Sequence, residues 1–173
     1  MFALVVTGPP GAGKSAVLEA LSDALVIDDV RHAVVETEAL TSAHPALGDA
    51  QWFAPVAAVC GLYRDFGYER LLVAATIESD HDLRALVDAI GAAEHVVVRL
   101  EAEPRTLRRR IIEREPEGWS GLDELLAASE RLGPAIAELD GVTLALSTEG
   151  RRSQTVAARI RDAFRVALRP ERP

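Results

Sequence analysis

An apolar run, a glycine-rich turn and an amphipathic helix follow one another without a break at the start of this chain. No other stretch restricts the fold as much. Phe2-Ala3-Leu4-Val5-Val6-Thr7 has the make-up of a short buried parallel strand, and Ala16 to Leu25 carries Val17, Leu18, Leu21 and Leu25 at helical spacing. Between them lies Gly8-Pro9-Pro10-Gly11-Ala12-Gly13-Lys14-Ser15, which meets the phosphate-binding pattern G-x-x-x-x-G-K-S at every fixed position. From average residue frequencies, a chain of this length meets those positions by chance in under ~1% of cases. Lys14 is also the only lysine in the sequence, every other basic residue being arginine.

The residue types suit the chemistry. Glycines let the backbone curl until successive N–H groups point at phosphate oxygens, and the following helix adds its positive N-terminal end. Pro9 and Pro10 have no N–H to give, so the cradle comes mainly from Gly11 through Ser15. A flexible primary ammonium at Lys14 reaches the β- and γ-phosphates, and the Ser15 hydroxyl holds Mg²⁺. The nucleotide-binding set is Gly8, Gly11, Ala12, Gly13, Lys14, Ser15 and Ala16.

Composition narrows the class. At 173 residues one compact α/β domain spanning 1–173 is expected, with a core that needs no disulfide or structural metal. Cys60 is alone, and the four histidines have no metal spacing. No apolar stretch reaches membrane-spanning length, and the first residues already read as core strand, so a soluble cytoplasmic protein is the expectation. A net charge of −8 argues against nucleic-acid partners.

Apolar runs alternate with helical patterns to the end of the chain, the signature of a parallel sheet covered on both faces. The reading gives strands over 2–7, 25–28, 70–75, 95–100 and 142–146. Helices fall at about 14–24, 30–41, 50–66, 80–91, 104–115, 121–139 and 151–168, with Pro134 kinking or restarting the sixth and a frayed tail from Arg169 to Pro173. Two breaker-rich segments, 41–55 and 115–121, read as mobile covers over the strand ends.

Asp28 and Asp29 follow the apolar triplet Leu25-Val26-Ile27, where an open sheet presents its carboxyl ends to ligand. One of the pair reads as an acid that activates a hydroxyl or holds water on Mg²⁺, the other as a helix cap. Arg31 reads either as an acceptor-binding group or as part of a solvated helix face. Arg110 and Arg114, four apart on one stripe, suit a clamp on the transferring phosphoryl group; the bland alternative is a charged face paired with Glu113 and Glu115. The third strand does not end in the Asp of a strongly typed metal site. Glu78 either organises Mg²⁺ through water or caps the helix from Asp80. Trp52 and Trp119 lie in the mobile covers and are candidates for substrate contact. The turn Thr148-Glu149-Gly150-Arg151 either packs on a nucleotide base or merely joins strand to helix.

With these pieces placed, the chain resembles the small P-loop kinases, the group of adenylate kinase, shikimate kinase, gluconate kinase and chloramphenicol phosphotransferase. The resemblance spans nearly the whole length and is carried by Gly8 to Ser15, Asp28, the Arg110/Arg114 pattern and, at the adenine, Thr148 with Arg151. It implies a three-layer α/β/α fold with a five-stranded parallel sheet ordered 2-3-1-4-5. It also implies ATP with Mg²⁺ and transfer of the γ-phosphoryl group to a hydroxyl or phosphate of a small molecule. On this reading Lys14, Asp28, Arg110 and Arg114 act on the transfer, while Asp29, Arg31, Trp52 and Glu78 face the acceptor between a covering segment at about 29–66 and a lid at about 105–121. Two departures stand out: the acid-x-acid pair of shikimate kinase is not reproduced by adjacent Asp28-Asp29, and the substrate arginines of adenylate kinase have no counterpart in 41–66. The rival class is a P-loop ATPase or nucleotide-binding regulator without a small-molecule acceptor. A guanine-reading N-K-x-D is excluded, since the chain has no Asn and no second Lys. The protein is expected to be a monomer or homodimer.

Overall fold

The computed structural model describes residues 1–170, without the side chains of Asp49 and Ala50. The last three residues of the expected tail, 171–173, lie outside the described residues. Five strands, β1 (Phe2–Thr7), β2 (Ala33–Glu36), β3 (Arg70–Ala74), β4 (Glu94–Glu101) and β5 (Leu144–Ser147), form one parallel sheet in the order β2-β3-β1-β4-β5. The helices are α1 (Lys14–Ile27), α2 (Thr37–Thr41), α3 (Asp49–Trp52), α4 (Ala54–Asp65), α5 (Asp80–Ile90), α6 (Pro104–Arg114), α7 (Leu122–Ala137) and α8 (Ser153–Ala163).

Alternation along the central strand divides the core in two. Leu4 and Val6 of β1 point to one face, where α1 and α8 pack with Leu18, Leu21, Leu25, Val156 and Ile160. Ala3 and Val5 point to the other, covered by α4, α5 and α7 through Val56, Leu86, Ile90 and Ile136. Burial on both faces is why β1 reads as a continuous apolar run. Cys60 is fully buried in the second layer, and burial pushes its thiol up to about 11, so it is a core side chain and not a nucleophile. Among the described residues no helix is long and apolar enough to cross a membrane.

The second strand is not where the sequence places it. Residues 25–28 continue α1, with Leu25 buried while Val26 and Ile27 are 68% and 84% exposed. The repeat Val17, Leu18, Leu21, Leu25 simply runs one turn further, so periodicity outweighs the β-branched pair. The true β2 is Ala33-Val34-Val35-Glu36, an edge strand with Ala33 and Val35 buried, in a region expected to be helical. The expected helix 50–66 divides into α3 and α4, with Pro55 at the start of α4, where a missing N–H is harmless. Helix α7 runs through Pro134 and ends at Ala137, and α8 stops at Ala163, five residues before the expected end.

The turn between β1 and α1 is pressed against its neighbours. At Gly11 φ is +83°, and a β-carbon would lie 2.7 Å from the Leu107 carbonyl oxygen on α6. Gly11→Ala is therefore expected to lower stability by about 1–3 kcal/mol, read as a reduced urea midpoint with an unchanged slope.

Candidate active site

The β1–α1 turn opens on a cleft of about 600 Å³ at the carboxyl ends of the strands. Its walls include Gly11, Gly13, Lys14 and Ser15 from the turn, Glu36 and Glu38 from the end of β2, Thr76 after β3, and Arg110, Arg114, Glu115 and Trp119 from α6 and the loop beyond. Gly13 caps α1 with φ +92° and no side chain, so the first-turn amides have no side-chain acceptor. A β-carbon at Gly13 would meet nothing within 4 Å, which leaves the space over those amides free for an anion.

Lys14 lies along this cradle. Its Nζ donates to the Gly8 carbonyl at 2.9 Å and stands 4.0 Å from Glu38 Oε1. Burial pushes the ammonium below its ordinary value, Arg114 nearby pushes the same way, and Glu38 and Glu36 oppose both. A cation largely withdrawn from water, with one carbonyl bond and a carboxylate 4.0 Å away, gains from a phosphate.

The Ser15 hydroxyl donates to Glu36 Oε2 at 2.9 Å, and the Thr76 hydroxyl donates to Glu38 Oε1 at 2.7 Å. Thr37, fully buried between the two glutamates, donates to the last carbonyl of β3, that of Ala74, at 3.1 Å. That bond pins the backbone so that Glu36 and Glu38 both border the cleft. This acid-x-acid segment occupies the place the sequence assigned to Asp28. The donor set of two hydroxyls and two carboxylates, all hard oxygen, fits Mg²⁺, which commonly takes one or two carboxylates with phosphates and water. Among the described residues there is no group of three or more His, Cys, Asp or Glu side chains placed to hold a metal ion.

Arg110 sits where two hollows meet. It donates from Nη1 to Thr148 Oγ1 and from Nη2 to the Thr148 carbonyl, both at 2.9 Å, and more weakly to Gly11 O at 3.3 Å. A second hollow of about 260 Å³ lies beside this cleft, lined by Gly13, Ala16, Val17, Arg110, Thr148 and Arg151. Arg151 donates to the Ser147 carbonyl at 3.0 Å. Arg114 stays on the cleft wall, its Nε 2.7 Å from Glu115 Oε1.

Helix α6 lacks a local side-chain cap, and Glu149 supplies one from the β5–α8 turn. It accepts from the Thr106 hydroxyl at 2.7 Å and the Glu103 amide at 3.1 Å, which hold its carboxyl below the ordinary value of 4.5. A carboxyl depressed in the folded state stabilises above its unfolded pKa, and the contribution disappears as pH falls through the folded value. Wild type and Glu149→Gln are thus expected to differ in melting temperature at neutral pH and to converge below pH 4.5.

Several expected site residues lie elsewhere. Asp28 caps the far end of α1, one helix length of about 21 Å from the turn, and pairs with Arg161 of α8 at 3.1 Å. Asp29 is beside it with φ 54°, a turn geometry. Arg31 donates to the Phe66 carbonyl at 2.6 Å and lies over the Tyr68 ring, again away from the cleft. Glu78 pairs with Arg131 of α7 at 2.9 Å, and Ser79 caps α5, so Glu78 is neither cap nor cleft wall. Trp52 packs edge-on against Phe53 at 4.9 Å and does not line the cleft, whereas Trp119 does. The sequence reading missed Glu36 and Glu38 as site acids. Their signal was the alternation Ala33-Val34-Val35 just before them.

Sheet order, turn and cleft together define a P-loop protein of the three-layer α/β/α type. Its fold is that of the small P-loop kinases. Solved structures with this fold include a sugar kinase from Janibacter sp. HTCC2649 (TM-score 0.66, 18% identity, 99% of each chain covered). A shikimate kinase from Acinetobacter baumannii in complex with shikimate has a TM-score of 0.60 at 14% identity over 95% of this chain and 93% of that one. The Deinococcus radiodurans tunicamycin resistance protein has a TM-score of 0.58 at 19% identity over 100% of both. At these identities the likeness is one of fold. No protein-family model matches the sequence, and no curated protein is significantly similar to it.

Proposed function

We propose that this protein is an ATP-dependent phosphotransferase that moves the γ-phosphoryl group to a hydroxyl of a small molecule. The observation that carries the reading is the cleft: a glycine-rich cradle with its lysine, two carboxylates fixed beside it, and two arginines on one wall. Lys14 and the amides of Gly11 to Ser15 hold the phosphates, while the base of the nucleotide fits the hollow of Ala16, Thr148 and Arg151. Ser15 and Glu36 would hold Mg²⁺, which neutralises charge on the bridging oxygens when bound.

The acceptor oxygen attacks the γ-phosphorus, the bond to the β,γ-bridging oxygen breaks, and ADP leaves. The acceptor's proton passes to Glu36, and Arg110 and Arg114 balance the charge that spreads over the phosphoryl oxygens. All of this fits one domain, 1–173, in which the 29–66 segment supplies Glu36 and Glu38, and α6 with the loop to 121 acts as lid. The test is ADP release over a panel of sugars, nucleosides, cyclitols and hydroxylated antibiotics with Lys14→Ala as the blank. Stimulation by at least one hydroxyl compound is expected, and a panel no better than the blank overturns the reading.

A further inference from the structure

The cleft carries three cations and three carboxylates, and their arrangement constrains the acceptor's charge. Lys14 lies in the phosphate cradle, Arg110 is held at the base hollow by Thr148, and Arg114 lines the same cleft, its Nε bonded to Glu115. The three carboxylates stand beside these groups: Glu36 accepts from the Ser15 hydroxyl, Glu38 lies 4.0 Å from Lys14 and Glu115 pairs with Arg114, with Thr76, Leu125 and Trp119 on the same cleft. A nucleotide drawing Arg114 toward its phosphates takes away the partner of Glu115, and one drawing Lys14 moves it from Glu38. Magnesium-bound ATP is itself an anion. The loaded cleft is therefore negative, with no cation among its described lining residues left for an acidic acceptor.

The second, independent observation is Trp119. This indole is 42% exposed although it lines a concavity, and its ring rests so closely on Gly121 that a β-carbon there would lie 2.3 Å from it. An exposed aromatic ring in a cleft that also holds carboxylates attracts ammonium groups. Resting on the phosphotransferase reading above, we propose that the acceptor is a hydroxyl compound bearing a positively charged amine, of the amino-sugar or aminocyclitol class, with Glu38 and Trp119 as its specificity determinants.

Two measurements test this. In a Trp52→Phe variant loaded with magnesium and a non-hydrolysable ATP analogue, cesium ion is expected to quench Trp119 fluorescence several-fold more strongly than iodide, and Glu38→Gln is expected to shrink that ratio. Iodide quenching equal to or above cesium overturns the inference. In ADP release, amino-bearing polyols are expected to exceed their neutral analogues in kcat/KM by about tenfold and carboxylated ones by more. Glu38→Gln should erase the amino preference, whereas equal losses on both acceptors would deny Glu38 this role. A preference for acidic acceptors overturns this inference alone. No turnover with any acceptor, with the analogue still bound, overturns the phosphotransfer reading and the acceptor class with it.

Discussion

Lys14→Ala is expected to lower turnover on the order of a thousandfold, the loss seen when one charge-stabilising donor is removed from a water-poor site. The Nζ is the one flexible cation inside the cradle, 2.9 Å from Gly8 O and only 12% exposed, so nothing else on that wall can replace it. Folding should survive, because the side chain borders a cleft and forms no part of either apolar layer. Removing a cation whose charged form burial disfavours should even leave the melting temperature unchanged or slightly higher. Steady-state ADP release and a thermal melt on the same preparation check both halves. Turnover within tenfold of wild type would remove the phosphate role from Lys14.

Glu36→Gln is the second large effect, a fall in kcat of about a hundredfold or more, as expected when a general base is lost. Glutamine keeps a hydrogen-bond acceptor for the Ser15 hydroxyl but can neither take a proton nor offer a full charge to Mg²⁺. The paired control is Asp28→Asn. Asp28 and Arg161 form a half-exposed ion pair at the far end of α1, so turnover should stay within about twofold and stability fall by less than about 1 kcal/mol. The two variants differ in the same functional group and in little else but position. A large kinetic loss in Asp28→Asn with none in Glu36→Gln would reverse the assignment drawn from the corrected second strand.

That reversal of roles shows where sequence reading stops. Leu25-Val26-Ile27-Asp28 and Val34-Val35-Glu36 both present β-branched residues followed by an acid, and either could end a strand. The first became the last turn of a helix because Leu25 continues a buried stripe begun at Val17, leaving Val26 and Ile27 in solvent. The second became an edge strand because it pairs with β3 along Leu71 to Ala74. Pairing partners lie tens of residues away, and no local pattern reports them. Arg110 and Arg114 were legible because helical spacing is local, and both do line the cleft. Their partners Thr148 and Glu115, and the remote cap from Glu149, depend on how α6 docks.

The chain's sequence alone determined the strand, glycine turn, helix and solitary lysine of the phosphate cradle, since each rests on conformational preferences within a dozen neighbouring residues. It also determined a parallel sheet covered on both faces, because burial from two sides leaves its mark on every central strand. Only the tertiary structure decided which carboxylates border the cleft at the turn. An acid's position in a site is set by which strand end it closes, and that follows from pairing β2 against β3 and from the Thr37 bond to Ala74, neither of which any single segment encodes.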